Sequence, residues 1–149
     1  MNQSQIAALY RQNHAQGAHP VGLVVKVYDA LLEDFRRALE AVRAGQVERR
    51  VAALNHALLI LAELESTLDH ERGGQVAVRL KGLYQVARAL IVEENLRARP
   101  EGLEKLMVMF LPVRQAWQQA ERELTGAASP RAAARREAEA PVGGSGWSV

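Results

Sequence analysis

The sequence predicts an all-α protein, an antiparallel up-down four-helix bundle, and three observations lead to that fold class. Apolar residues recur at spacings of three and four along four segments, which is the period of an amphipathic helix. Glycine and proline separate these segments by short connections, so neighbouring helices are expected to run antiparallel. No segment alternates apolar and polar residues throughout, and no Asn-Gly or Asp-Gly hairpin signal occurs. With 149 residues, 48% of them apolar, the chain is long enough for one such bundle.

Glycine and proline mark where each helix begins and ends. Pro20 suits the first turn of a helix, and Gly45 can end that helix in the left-handed conformation. The Gly73-Gly74 pair predicts the break between the second and third helices, and Pro100 can begin the fourth. The predicted core faces, in chain order, are Val21, Val24, Tyr28, Leu31, Phe35, Leu39 and Val42; Val47, Val51, Leu54, Leu58, Leu61 and Leu68; Val76, Leu80, Leu83, Ala87, Leu90 and Ile91; Leu103, Leu106, Phe110, Val113, Trp117 and Leu124.

The two ends of the chain differ from the bundle, which is expected to span 20–125. Residues 1–19 are predicted to form a short arm on the bundle. Its apolar side chains are Ile6, Leu9 and Tyr10. Residues 126–149 have almost no large apolar side chains except Trp147. Because such a stretch buries too little surface to offset its ordering entropy, we predict a disordered tail.

Composition argues against several classes of protein. Cysteine is absent, which removes disulfides, thiolate metal sites and cysteine nucleophiles. A net charge of +2 and 5% aromatic residues are not typical of a nucleic-acid-binding protein. No apolar run approaches the ~20 residues of a membrane span, and the polar start lacks the features of a signal peptide. We therefore expect a cytoplasmic protein without membrane insertion or nucleic-acid partner.

Histidine and carboxylate spacing gives no catalytic or metal-binding set. No Glu-x-x-His pair and no two histidines four residues apart occur, so no metal or cofactor is predicted. Glu93 and Glu94 are adjacent and do not face each other on a helix, so we expect them on a solvated face. His56 and His70 keep a histidine phosphotransfer bundle open as an alternative, although no Lys or Arg lies within one turn of His56. We therefore expect neither catalytic residues nor a small-molecule substrate.

Two helices carry apolar residues in addition to the predicted core. On the first helix they lie about 100° from the centre of the core face, at 100° per residue. The residues are Leu23, Val27 and Ala30 on the first helix and Val78, Gly82 and Ala89 on the third. Such residues are either buried at the edges of the bundle or form a groove for a partner helix.

Four stretches in order carry a resemblance to a known family. They are His19-Pro20-Val21-Gly22-Leu23 with Val27-Tyr28-Asp29-Ala30; Leu64-Glu65-Ser66-Thr67-Leu68-Asp69-His70-Glu71-Arg72-Gly73-Gly74; Leu80 and Leu83-Tyr84 with Asn95; and Val113-Arg114-Gln115-Ala116-Trp117. Together they resemble the flagellar secretion chaperone family, FliS, from Tyr10 to about Glu121. The chain departs from the family pattern at Ala30, where glycine is usual, and at His19, where serine is frequent.

The resemblance implies an export chaperone that is not an enzyme. It would bind the C-terminal region of flagellin in a hydrophobic groove, prevent premature polymerisation and act with the flagellar export apparatus. The expected partner-binding residues are Ile6, Leu9, Tyr10, Leu23, Val27, Tyr28, Val78, Gly82, Tyr84 and Ala89. A helical adaptor for another secretion or regulatory partner remains an alternative. Packing or capping roles for Tyr28, Tyr84, Asp29 and Asp69 also remain open.

Overall fold

A computed structural model describes residues 20–126 as four α helices. They are α1 (Pro20–Arg43), α2 (Val47–Ser66), α3 (His70–Arg97) and α4 (Pro100–Gly126). Helix α1 packs against α2 and α4, and α3 closes the ring with its looser contact to α4. The all-α four-helix prediction is confirmed over these residues. The expected arm, with Ile6, Leu9 and Tyr10, and the expected tail after Gly126 lie outside the described residues.

The core is formed by large side chains from all four helices. Four aromatic rings are buried at its centre, and aliphatic residues from each helix surround them. The principal members are Tyr28, Leu31 and Phe35 of α1, Leu54, Ile60, Leu61 and Leu64 of α2, Tyr84 and Ile91 of α3, and Leu103, Leu106 and Phe110 of α4. Burial of this apolar surface is the dominant favourable contribution to the stability of such a bundle.

The end of α1 follows the sequence prediction. Gly45 has a φ of 68°, and its N–H donates to the carbonyl of Val42 at 3.2 Å. The next N–H, of Gln46, donates to the carbonyl of Ala41 at 2.8 Å. This pair of hydrogen bonds is the Schellman motif, in which a left-handed glycine ends a helix.

The beginning of α3 combines a capped first turn with the predicted glycine break. The sequence placed the break at Gly73-Gly74, but α3 begins earlier, at His70. The Asp69 carboxylate accepts hydrogen bonds from the backbone N–H groups of Glu71 and Arg72, at 3.1 and 3.0 Å, and so caps a first turn. Gly74 then leaves the helical region, with φ 51° and ψ −125°. The helical backbone is therefore interrupted at the predicted Gly73-Gly74 pair, and residues 70–73 form a short turn before the long part of α3.

The turn from α3 to α4 is built around a buried carboxylate. Glu94 is fully buried and accepts hydrogen bonds from Arg99, at 3.0 Å from the backbone N–H and 2.6 Å from Nη2. Gly102 leaves room for this carboxylate, because a Cβ there would overlap it. The expectation that Glu94 lies on a solvated face is wrong. Arg99 follows α3 in the chain and folds back on it, which the spacing within α3 does not reveal.

Pro112 lies inside α4, and the helix continues through it to Gly126. The proline is exposed, whereas Phe110 is fully buried and Val113 and Trp117 pack against the core. A proline costs a helix one backbone hydrogen bond. The apolar contacts on both sides of Pro112 hold α4 in place despite that loss.

Candidate binding surfaces

Three aromatic rings join α1, α3 and α4 at the centre of the bundle. The hydroxyls of Tyr28 and Tyr84 are hydrogen-bonded at 2.6 Å, and the Tyr84 ring stacks on Phe110 with centroids 6.4 Å apart. Burial raises the pKa of Tyr28, although hydrogen bonds with Tyr84 and Trp117 act in the opposite direction. Both hydroxyls are therefore satisfied inside the protein, as buried tyrosines require. This supports the packing role that the sequence left open.

An ion pair joins α1 and α4 beside this aromatic cluster. Arg114 donates to the Asp29 carboxylate through Nε at 2.6 Å and Nη2 at 3.3 Å. This two-bond geometry fixes the orientation of both groups. Two of the stretches singled out in the sequence, one in each helix, thus meet in space. Asp29 and Arg114 therefore stabilise the packing of α1 against α4.

A pocket opens at the end of the bundle where α2 turns into α3, and we call it the end pocket. Its volume is about 330 Å³, and all four helices contribute to its mostly apolar wall. The wall includes Val24, Leu64, Leu68, Val76, Leu80 and Trp117. Asp69 and Arg72 stand at its polar rim, and the kink at Gly74 shapes the α3 side. The pocket has room for an apolar side chain of a ligand. Asp69 and Arg72 at the rim could then form hydrogen bonds or ion pairs with the ligand's backbone or charged groups.

The outer face of α3 carries exposed apolar residues away from the core, and we call them the α3 stripe. They are Val78, Val86 and Ala89, which are exposed, and Gly82, which is half-buried. Val78 is 57% and Val86 55% exposed, and a Cβ added at Gly82 would meet no other atom within 4 Å. The expectation that Val78, Gly82 and Ala89 lie off the core face is confirmed. Small residues in this stripe would let another helix approach closely.

The expectation of accessible surface is wrong for the α1 residues Leu23 and Val27. Leu23 is 7% exposed, and Val27, at 2%, belongs to the core. The reason is that α1 packs against α2 as well as α4, so its buried arc is wider than one stripe. Tyr28 and Tyr84 are buried too, and only Tyr84 reaches the wall of the end pocket.

A second, more polar cleft lies between α1 and α2, and sequence reasoning missed it. Asp34 of α1 is buried, and its carboxylate contacts Nδ1 of His56 on α2. Both residues stand on helix faces beside the core, so only their pairing across two helices makes them notable. His56 Nε2 is also buried, whereas His70 is exposed at the start of α3. Phosphotransfer requires an accessible imidazole, so the placement of His56 argues against that role for His56 but not for His70.

Metal-binding and membrane-spanning features are not found in the described part of the chain. Among residues 20–126, no three His, Asp or Glu side chains cluster in a way that could hold a metal ion. None of the helices in that range is long and apolar enough to span a bilayer.

The fold and its surface define the class of protein, a four-helix bundle with exposed apolar residues along α3 and a mostly apolar end pocket. Comparison with known sequences then identifies the family: the profile described as flagellar protein FliS matches residues 1–124. The chain therefore belongs to the FliS family, whose relatives are named as secretion chaperones and not as enzymes. Family membership supports an export chaperone role.

Curated relatives match most of their own length. The flagellar secretion chaperone FliS of Campylobacter jejuni is 32% identical over 110 residues, which are 74% of this chain and 86% of that protein. The FliS protein of Salmonella typhimurium is 27% identical over 109 residues, 72% of this chain and 81% of that protein. That of Bacillus subtilis is 27% identical over 111 residues, 74% and 82%.

Proposed function

We propose that this chain is a cytoplasmic chaperone that binds the C-terminal region of flagellin, keeps it from polymerising and presents it to the flagellar export apparatus. The observation that carries the proposal is the exposed apolar surface of α3 together with the end pocket. A contiguous run of exposed apolar residues on one helix face is the kind of surface that protein partners use. The family supplies the class of partner, a substrate of flagellar export.

The two surfaces suit a long, flexible partner better than a compact one. Val76 and Leu80 line the end pocket, whereas Val78 and Gly82 lie on the outer side of the same helix. A single rigid helix cannot occupy both faces of α3. An extended segment that wraps around α3 can place one apolar side chain in the pocket and lay a short helix on the stripe. Such a segment pays its ordering cost on binding and can still cover a large surface.

Binding at these surfaces would mask the flagellin segment until export. The partner's apolar residues would lie against Val78, Val86 and the pocket wall instead of against another flagellin subunit. Leu23, Val27 and Tyr28 would contribute indirectly, by holding α1 against its neighbours. The expected contacts of Ile6, Leu9 and Tyr10 remain a prediction for the arm.

The experiment compares two valine substitutions by isothermal titration calorimetry with a flagellin C-terminal peptide. Val78→Glu places a charge on the α3 stripe, and Val108→Glu places the same charge on an equally open face of α4, since these valines are 57% and 68% exposed. We expect Val78→Glu to weaken binding at least about tenfold, or ~1.4 kcal/mol. Val108→Glu should bind like the unsubstituted chain.

Two results would contradict the proposal. If the unsubstituted chain does not bind flagellin, the adaptor alternative is favoured, because an adaptor would use the same surfaces to bind a different partner. If flagellin binds and both variants bind equally well, the α3 stripe is not the docking surface. Far-UV circular dichroism of each variant checks that the bundle remains folded.

A further inference from the structure

The side of α3 that lies away from the core carries a seven-residue repeat. Its members are spaced alternately four and three residues apart, and at about 100° per residue all of them lie within about 40° of Val78. Three of them are large and open to solvent, since Val78 is 57%, Val92 50% and Leu96 83% exposed. We call the set the α3 seam, and its members are Val78, Gly82, Gln85, Ala89, Val92 and Leu96.

The spacing of the α3 seam is that of a two-helix coiled coil. Alternate steps of four and three residues average about 3.5, the period at which two helices supercoil and keep one face in contact along their length. Among residues 20–126, no other helix covers this face, because its large side chains are exposed. From Val78 to Leu96 the seam is about 27 Å long at 1.5 Å per residue. The seam therefore has the shape and length to receive a second helix.

The α3 seam is complementary to a second copy of itself that runs in the opposite direction. In an antiparallel pair, the first position of the repeat on one helix packs beside the fourth position on the other. With a two-fold axis near Ala87, positions equally far before and after that residue meet. Every residue of the seam then has a partner in the seam of the second copy, and the pairs are Val78 with Leu96, Gly82 with Val92, and Gln85 with Ala89.

A parallel pair of α3 helices fits the seam less well. Each residue would then lie beside its own copy, which leaves a gap between two Gly82 residues and crowds two Leu96 side chains together. The antiparallel pair instead places Gly82 opposite a valine, so that large and small residues alternate as they do in close-packed interiors. Antiparallel helices also bring the opposite ends of their dipoles side by side. Both arguments favour the antiparallel direction.

Charged side chains beside the seam agree with an antiparallel second copy. On one side, Arg79 comes opposite Glu93 of the second copy, and the two-fold axis repeats this contact. Glu93 also contacts Arg99 of its own chain at 3.2 Å, so the contact guides orientation more than it adds affinity. On the other side, Arg88 comes near its own copy, but Glu65 at 2.5 Å balances its charge within each chain. No uncompensated repulsion therefore opposes the pair at these positions.

We propose that the α3 seam joins two copies of this chain as an antiparallel, two-fold symmetric pair of helices. A contact made by one helix from each copy is expected to bury less than ~1,200 Å² in total, the size of weak and transient complexes. The paired copies therefore exchange with free chains. The seam shares Val78, Gly82 and Ala89 with the α3 stripe, so the second copy occupies the surface that the proposed function gives to flagellin. One occupant excludes the other, and the pair covers the apolar face of a chain that holds no substrate.

Sedimentation velocity of the full chain without flagellin measures the self-association. Concentrations between about 1 µM and 1 mM bracket a weak complex, and we expect a monomer–dimer equilibrium within them. Val92→Glu should raise the dissociation constant at least about tenfold, because it places a charge against Gly82 of the second copy. Val108→Glu, at an exposed valine of α4, is the matched control and should leave that constant unchanged. Far-UV circular dichroism checks that both variants are folded. A chain that stays monomeric throughout, or a dimer that Val92→Glu leaves equally tight, would overturn the proposal.

Disulfide cross-linking tests the direction of the two helices, because the chain has no cysteine of its own. Chains with Val78→Cys and chains with Leu96→Cys are mixed and treated with oxidised glutathione, and the products are identified by intact mass. The mixed dimer should form at least about tenfold faster than the dimer of either variant alone, since only the mixed pair brings two sulfurs within bonding reach. Faster linkage of Leu96→Cys to itself, or equal rates for all combinations, would contradict the antiparallel pair. Neither readout contains flagellin, so failure here leaves the proposed function untouched.

Discussion

Two glycine-to-alanine substitutions are expected to change stability in opposite directions. A Cβ at Gly102 would overlap the buried carboxylate of Glu94, whereas a Cβ at Gly82 would enter open space. Both glycines lie in helices, α4 and α3. Helix propensity alone would therefore make both alanine variants more stable.

The magnitudes follow from what each methyl group meets. At Gly82 the gain is the helix propensity of alanine over glycine, about 1 kcal/mol. At Gly102 the methyl group pushes Glu94 away from the backbone N–H and guanidinium of Arg99. A buried carboxylate that loses such partners costs roughly 3 kcal/mol or more. The net expectation for Gly102→Ala is a loss of about 2 kcal/mol, or ~10 °C in Tm.

The pH dependence of the Gly102→Ala effect has a defined sign. Burial acts to raise the pKa of Glu94, but hydrogen bonds and charge from Arg99 outweigh it and hold that pKa below its usual value. A lowered folded-state pKa gives stability that is present at neutral pH and is lost as the pH falls through it. The difference between Gly102→Ala and the unsubstituted chain should therefore shrink in acid.

Urea denaturation followed by circular dichroism measures both substitutions. A Gly102→Ala chain as stable as the unsubstituted one would refute the role assigned to Glu94. Gly82→Ala should also bind flagellin about tenfold more weakly, because the methyl group keeps a partner helix away from α3. The affinity should fall although the free energy of unfolding of the variant is higher. Unchanged affinity would exclude close helix packing at Gly82.

Four further predictions concern the core and the ends of the chain. Val27→Asp should unfold the bundle, because it buries an unpaired charge; a cooperative melt close to that of the unsubstituted chain would contradict its core position. Tyr28→Phe and Tyr84→Phe should each cost about 1–3 kcal/mol in urea denaturation, and the double variant less than their sum, because each single change removes the one hydrogen bond that the two hydroxyls share. Deleting 126–149 should leave Tm and flagellin affinity almost unchanged. Deleting 1–12 should raise or preserve affinity while the free chain self-associates more, as measured by light scattering; a large loss of affinity would make the arm part of the binding site.

The sequence predicted features that depend on local chemistry. The left-handed Gly45 and its Schellman hydrogen bonds involve residues within one turn, so the position of a single glycine foretells them. The outward position of Val78 also follows from spacing on one helix. The end of α1 and the outward position of Val78 are both set by residues of a single helix, so neighbouring helices do not alter them.

Features that depend on neighbouring helices could not be predicted in the same way. Val27 is buried because α2 covers that side of α1, and periodicity within α1 does not say how many helices surround it. The pairing of Asp34 with His56 joins positions far apart in sequence. Glu94 is buried because the chain after α3 folds back, which places Arg99 over it. All three depend on how the helices pack together.

Hydrogen–deuterium exchange of the chain, with and without a flagellin C-terminal peptide, locates the amides that the partner protects. New protection is expected at amides of α3 around Val78 to Ala89 and at the end pocket around Leu68 to Val76. The α1–α2 cleft around Asp34 and His56 should show no new protection. Protection confined to that cleft, or none on α3, would contradict the claim that the α3 stripe and the end pocket receive the partner.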